Sequence, residues 1–148
     1  MNVAQLVNLL AGGVLTGNEL GTWAVVHPAV KRLPFGEEVA AEREVTRRYG
    51  LFMPGLMTLT VVSGFVAARN ADDAPARRLL LAGSASYAAM LAITLAGNVP
   101  INVRTLRFQD GGDPDEWRRL RSRWDRLHGA RVMLDSTGFT CGALAALA

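Results

Sequence analysis

The stretch that decides the fold is Leu79–Asn102, "LLLAGSASYAAMLAITLAGNVPIN". Its first eighteen residues, 79–96, carry no charge, and it closes on two asparagines that flank a proline. The helix of a soluble protein shows a polar stripe at every turn, whereas this run offers only Ser, Thr, Gly and Tyr. A bilayer core needs about 20 mostly apolar residues per helix. The run therefore reads as a membrane-spanning helix. Asn98 and Asn102 then need a reason, because an amide is costly in an apolar medium unless it is hydrogen-bonded.

Three further runs share this character. Residues 51–68, "LFMPGLMTLTVVSGFVAA", are uncharged; 3–30 carry Glu19 as their one charge, together with His27; 132–148 carry only Asp135. The pattern predicts an all-α fold, a bundle of four transmembrane helices over about 3–27, 51–69, 78–98 and 116–147, forming a single domain over residues 1–148. The first helix lacks a basic leading segment and reads as a span, not a cleaved leader. It is expected to stop at Pro28, and the third helix at the GNVPIN segment. Residues 37–49, "EEVAAEREVTRRY", run from acidic to basic as a helix dipole favours and are predicted as a separate amphipathic cytoplasmic helix between the first and second spans. Asp113 or Asp115 is expected to cap the last helix. Gly13, Gly17 and Gly21 repeat every four residues, as do Gly138 and Gly142, small-residue ridges that let another helix approach closely; a homo-oligomer is compatible with them.

Of the sixteen Lys and Arg residues, five lie in 31–50, eight in 104–131 and three between the second and third helices. The positive-inside rule puts the loops 31–50 and 104–123 in the cytoplasm and both termini outside, in a multi-pass protein of the cell's inner membrane. Topology and anionic headgroups account for the net charge of +3, so no nucleic-acid partner is implied. A single cysteine, Cys141, excludes an intramolecular disulfide.

The polar residues inside these runs fall into stripes. At about 100° per residue, Asn8, Gly12, Thr16, Glu19, Trp23 and His27 share one arc of the first helix. Trp124, His128, Arg131 and Asp135, spaced 4, 3 and 4, share one stripe of the fourth. The two histidines of the chain reach the same depth as Asn98 and Asn102, while Glu19 and Asp135 lie about 10–12 Å deeper at 1.5 Å per residue. Each residue has a plainer reading alone: the asparagines as a helix stop, the tryptophans as interfacial belt residues, Arg131 as a snorkelling or Asp135-paired side chain. Intramembrane carboxylates, however, face the bundle interior and mark functional sites by default. Together the stripes predict a polar pocket between the first, third and fourth helices, open towards the cytoplasm.

The combination of "GNVPIN" (97–102) with "W..LR.RW...H..R" (Trp117 to Arg131), behind a glycine-rich first helix ending near a proline, resembles the anthrone oxygenase-like family of small four-helix membrane proteins. The resemblance covers nearly the whole chain. It implies oxidation of an anthrone to an anthraquinone by O2 without flavin or haem, and it carries Asn98, Asn102, Trp124, His128 and Arg131 over as site residues.

The chemistry is consistent with these side chains. An anthrone has an acidic C–H, since its deprotonation yields an aromatic phenolate, and the carbanion can pass an electron to O2 directly. The protein must supply a base, a dry pocket and charge stabilisation. The expected roles are His128 as base, Arg131 as anion stabiliser, Glu19 as orienting or relaying carboxylate, and Asn98, Asn102, Trp124, Trp23 and His27 as the walls that bind a small hydrophobic substrate. No cofactor beyond O2 is needed in this scheme. A rival scheme makes Glu19, His27 and His128 the ligands of an Fe, Cu or Zn ion in a metal-dependent oxidoreductase. A third makes the chain a non-catalytic small-molecule binder.

Overall fold

The computed structural model describes residues 1–148 and contains helices and no strands. The chain forms four helical rods. The first joins α1 (Val3–Gly21) through a π-helical turn (Thr22–Val26) to α2 (His27–Val30). The second is α3 (Phe35–Arg69). The third joins α4 (Ala74–Ile93) through a second π-helical turn (Thr94–Asn98) to α5 (Val99–Arg107), and the fourth is α6 (Pro114–Leu147). Each rod packs on its two neighbours: α1 on α3 and α6, α4 on α3 and α6. Side-chain caps start three of the helices, with Asn2 accepting from the Gln5 N–H, Asp73 from that of Ala76 and Asp113 from that of Asp115.

The sequence predicts breaks that are absent. α3 runs unbroken through Pro54, so residues 37–49 are the first turns of a long helix and not a separate amphipathic one. Pro54 has no N–H to give the carbonyl of Gly50, but one missing bond does not break a helix packed along its length. Pro28 and Pro100 do not end their helices either. Just before each proline the backbone widens by one residue, so that His27 N–H bonds to Thr22 O and Val99 N–H to Thr94 O, five residues back. A proline ring clashes with the carbonyl four residues earlier, and the wide turn relieves that crowding while the helix continues. The first rod thus reaches Val30 and the third Arg107, beyond the predicted stops near 27 and 98.

Three apolar clusters fill the bundle along its length. Ala67, Ala68, Ala76, Leu80 and Ala145 lie at one end; Leu15, Met53, Met57, Tyr87 and Met90 form another; Val39, Ile101, Trp117, Leu120 and Trp124 form the third. Two amides at one end of the bundle tie rods together: Asn8 Nδ2 donates to Thr60 O (2.7 Å) and Gln5 Nε2 to Ala145 O (3.0 Å). Of the predicted small-residue ridges, Gly138 does pack closely, with Tyr87 ring atoms where its side chain would begin. Gly17 and Gly21 meet nothing within 4 Å, because the seam of α1 runs along Asn8, Gly12, Leu15 and Glu19 instead.

Two helices, Phe35–Arg69 and Ala74–Arg107, are long and apolar enough to cross a membrane, each with a mean hydropathy of 1.8 over its best window. The bundle also exposes many large apolar residues, among them Leu10, Val14, Leu51, Leu59, Val62, Leu95 and Met133.

Candidate active site

The first π turn decides where His27 points. Eight residues of regular helix would set His27 about 80° around the axis from Glu19, whereas absorbing one extra residue, worth about 100°, brings it back to within roughly 20°. Both side chains are buried, at 4% and 3% exposure. Across from them α6 presents Arg121, Trp124, His128, Arg131 and Asp135 on one face, and α3 presents Glu42.

These residues form two clusters of the same composition. In the first, Arg131 Nη2 donates to Glu19 Oε1, and His128 Nε2 lies 3.0 Å from Glu19 Oε2. In the second, His27 Nδ1 is 2.7 Å from Glu42 Oε1, and Arg121 Nη2 is 2.9 Å from Glu42 Oε2. Arg121 Nη2 also lies 3.3 Å from His27 Nδ1, but a ring N–H that donates to Glu42 cannot accept from Arg121, so the guanidinium belongs to the carboxylate. With neutral histidines each cluster sums to zero charge, the condition under which buried ions are tolerated. Trp124 stands between the clusters, its ring centroid 4.5 Å from those of both His27 and His128, which are 5.6 Å apart from each other. The Arg121 guanidinium lies 4.5 Å from the centroid of the Trp124 ring, a cation–π contact. Trp124 Nε1 donates to Asn102 Oδ1 at 2.7 Å.

A cavity of about 150 Å³ adjoins the first cluster. Glu19, His27, His128 and Arg131 line its polar part with Asn18, Thr22, Asn102 and Trp124; Met53, Met57, Leu91 and Leu95 are among the residues of its apolar part. Six of the eight residues predicted from sequence are thus brought together around one space. Asn98 and Trp23 are not. Asn98, fully buried at the end of the second π turn, lies outside the lining, and neither atom of its amide has a hydrogen-bond partner. Trp23 is 49% exposed and borders a second cleft with Pro28, Lys31 and Asp125, on the far side of His27 and His128. The π turn is the cause: it draws His27 inward while the residue four before it stays outside. Asp135 is fully buried one turn beyond Arg131, with both carboxyl oxygens unpartnered.

Glu42 and Arg121 are absent from the predicted site. Both carried a signal. Arg121 continues the α6 stripe one step back, 121, 124, 128, 131, and Glu42 falls in the stripe Val39, Glu42, Thr46, Tyr49, Met53 of α3. Both lie in segments that the charge pattern marks as cytoplasmic loop, and that masked them. No group of three or more His, Cys, Asp and Glu side chains is arranged to hold a metal ion. Of the alternative ligand set, Glu19 is engaged by Arg131 and His128, and His27 by Glu42.

No curated protein and no solved structure matches the chain. The anthrone oxygenase family profile matches residues 43–141, which takes in Asn98, Asn102, Arg121, Trp124, His128, Arg131 and Asp135 and begins one residue past Glu42. That match spans well over half of the sequence and includes the polar face of α6, so the chain belongs to the anthrone oxygenase family.

Proposed function

We propose that this protein is a membrane-embedded oxygenase that uses O2 to oxidise a small hydrophobic substrate with an acidic C–H, of the anthrone type. The observation that carries this reading is the Glu19–His128–Arg131 cluster, buried at the polar part of an otherwise apolar cavity. His128 Nε2 lies 3.0 Å from Glu19 Oε2 without a directed hydrogen bond, and neither ring nitrogen has a hydrogen-bond partner in the protein. One nitrogen of the neutral ring therefore carries the lone pair that takes the substrate proton. The Nε–H of Arg131 also has no acceptor in the protein and is the donor available to a developing oxyanion. Asn102, whose Oδ1 is taken by Trp124, has its NH2 free for a substrate oxygen. The carbanion passes one electron to O2, the two radicals join in a C–O bond, and the resulting hydroperoxide loses water. The CH2 group plus O2 thus becomes C=O plus H2O, with the base returning its proton to the departing oxygen.

The reading includes four spans with both termini outside, resting on the thirteen-to-three division of Lys and Arg and on the exposed apolar residues of all four rods. A thiol-reactive label at position 112, introduced as Gly112→Cys on a Cys141→Ser background, is expected to react only after sealed cells are opened; full reaction from outside refutes the orientation. The oxygenase is tested by anthrone-dependent O2 uptake with purified protein in vesicles, alongside its metal content. Uptake independent of Fe, Cu and Zn supports the proposal. Uptake proportional to a bound metal transfers the reading to the metal-dependent scheme, and no uptake with saturable anthrone binding transfers it to a carrier.

A further inference from the structure

The cavity has an apolar mouth on the side of the bundle. Of its lining residues only Gly50, Pro54, Leu95 and Val99 are exposed. They form two facing pairs, each spaced by four, one on α3 and one spanning the second π turn into α5. None carries a polar side chain. Around them Leu51 is 83% exposed, Leu95 itself 60% and Val103, one turn past Val99, 41%. Exposed Arg47, Arg48 and Arg104 lie within about a turn, which sets the mouth at the cytoplasmic edge of the hydrocarbon. The charged lining residues, Glu19 and Arg131, are buried and come from α1 and α6, the rods that contribute nothing to this mouth. Behind the mouth the wall holds the thioethers of Met53 and Met57 beside half-buried Thr46, Tyr49 and Thr94, and then the buried Glu19 and Arg131.

We propose that the substrate is drawn from the hydrocarbon of the bilayer, sideways between α3 and the α4–α5 rod, and that Gly50, Pro54, Leu95 and Val99 are the portal that selects for it. This rests on the membrane oxygenase reading above. A flat polycyclic molecule partitions into the acyl chains, where its concentration far exceeds that in water. A portal with no polar side chain charges no desolvation cost to such a molecule and excludes ions, which would have to shed their water to pass. The polar edge of the molecule enters first and meets the histidine and arginine, while its rings rest against the methionines. Substrate choice thus divides between two places: flatness and lipid solubility at the portal, an acidic C–H at His128.

The test needs no turnover. A bimane fluorophore is attached at position 95 through Leu95→Cys on a Cys141→Ser background, and the protein is placed in phosphatidylcholine vesicles. Bromine on the acyl chains is expected to quench the label, and aqueous iodide is not; the reverse result overturns the portal. Anthraquinone, an unreactive electron-accepting probe, is then titrated into the same vesicles. Saturable quenching is expected from a molecule held behind the label, whereas quenching that only rises linearly with probe, as for collisions in lipid, overturns the proposal. A Cβ added at Gly50 or at Gly55 meets no atom within 4 Å, and an unchanged thermal unfolding of each Phe variant is the condition for comparing them. Gly50→Phe narrows the mouth and is expected to slow the onset of saturable quenching, and its reversal on dilution, by about tenfold; Gly55→Phe, outside the lining, leaves both rates unchanged. Equal rates in both variants refute the portal. Anthrone turnover in the same vesicles reports on the oxygenase separately.

Discussion

The two glutamate–histidine–arginine clusters contain the same three side chains and flank the same tryptophan, yet only one has its carboxylate and its arginine in the cavity wall. Glu19 and Arg131 face the cavity, whereas Glu42 and Arg121 lie behind it, and only His27 of that second cluster reaches the lining. The difference teaches that identical charge arithmetic can serve two ends. Under the proposed function, the cluster whose two ions face the open space carries the chemistry. In the other, Glu42 and Arg121 are buried behind the cavity, Arg121 over the Trp117 and Trp124 rings, and their ion pair ties α3 to α6.

The strongest way to break this comparison is to remove the reagent. His128→Ala is expected to lower anthrone turnover by about 10²–10⁴ while the protein remains folded; Arg131→Ala, which also leaves Glu19 as an unpaired buried charge and so costs stability, should lower it by a similar factor at temperatures where the fold survives. Full activity of folded His128→Ala ends its assignment as base. Since the base acts when neutral, wild-type turnover should be low in acid and rise with pH as a histidine loses its proton, a profile that His128→Ala removes. Next comes the second cluster. Glu42→Gln leaves Arg121 as an uncompensated buried charge, which costs about 3–5 kcal/mol. The expected result is thermal unfolding at markedly lower temperature, with partial turnover at temperatures where the fold survives. Abolished turnover in folded Glu42→Gln would place both clusters in the chemistry. A smaller effect is expected of Trp124→Phe, which gives up one hydrogen bond to Asn102, about 1 kcal/mol, and is read as a modest loss of thermal stability. The least is expected two residues from Glu42. The Glu44 carboxyl, held below its usual pKa by its hydrogen bond to Arg48 and by the nearby Arg47, is exposed, and solvent screens such pairs. Glu44→Gln should unfold with wild type, and a large shift would show that burial is not what separates Glu42 from its neighbour.

Helix positions and most of the site were legible because both follow from periodicity. Glu19, Trp124, His128 and Arg131 sit in stripes that a regular helix keeps on one face. What was not legible depends on departures from that regularity. Pro28 and Pro100 read as boundaries, and a π turn before each carries the helix past it; the break expected between residues 49 and 51 is absent too, since α3 runs on through Pro54. A π turn has no propensity signature of its own, so the rotation that draws His27 inward, leaves Trp23 outside and takes Asn98 off the cavity wall had nothing to announce it. Glu42 and Arg121 were hidden for a different reason. Their neighbours Arg43, Glu44, Arg119 and Arg123 are charged, and a carboxylate among carboxylates shows its burial only when the opposing helix is known.

Each π turn is also a counting device. It holds one residue more than the α-helix around it, so the chain beyond the turn is out of phase with the chain before it by about 100°. Deleting one residue there, for instance Ala24, would let the backbone close into unbroken α-helix and leave His27 facing where it does now, because seven α-helical residues cover the same rotation as eight with the wide turn. Closing the turn into α-helix with every residue kept would instead rotate His27 by about 100° away from Glu42, although no residue of the site had been replaced. A one-residue deletion at 22–26 or 94–98 is therefore expected to disturb the site less than a one-residue insertion, which adds a further rotation of about 100° that the existing turn does not absorb.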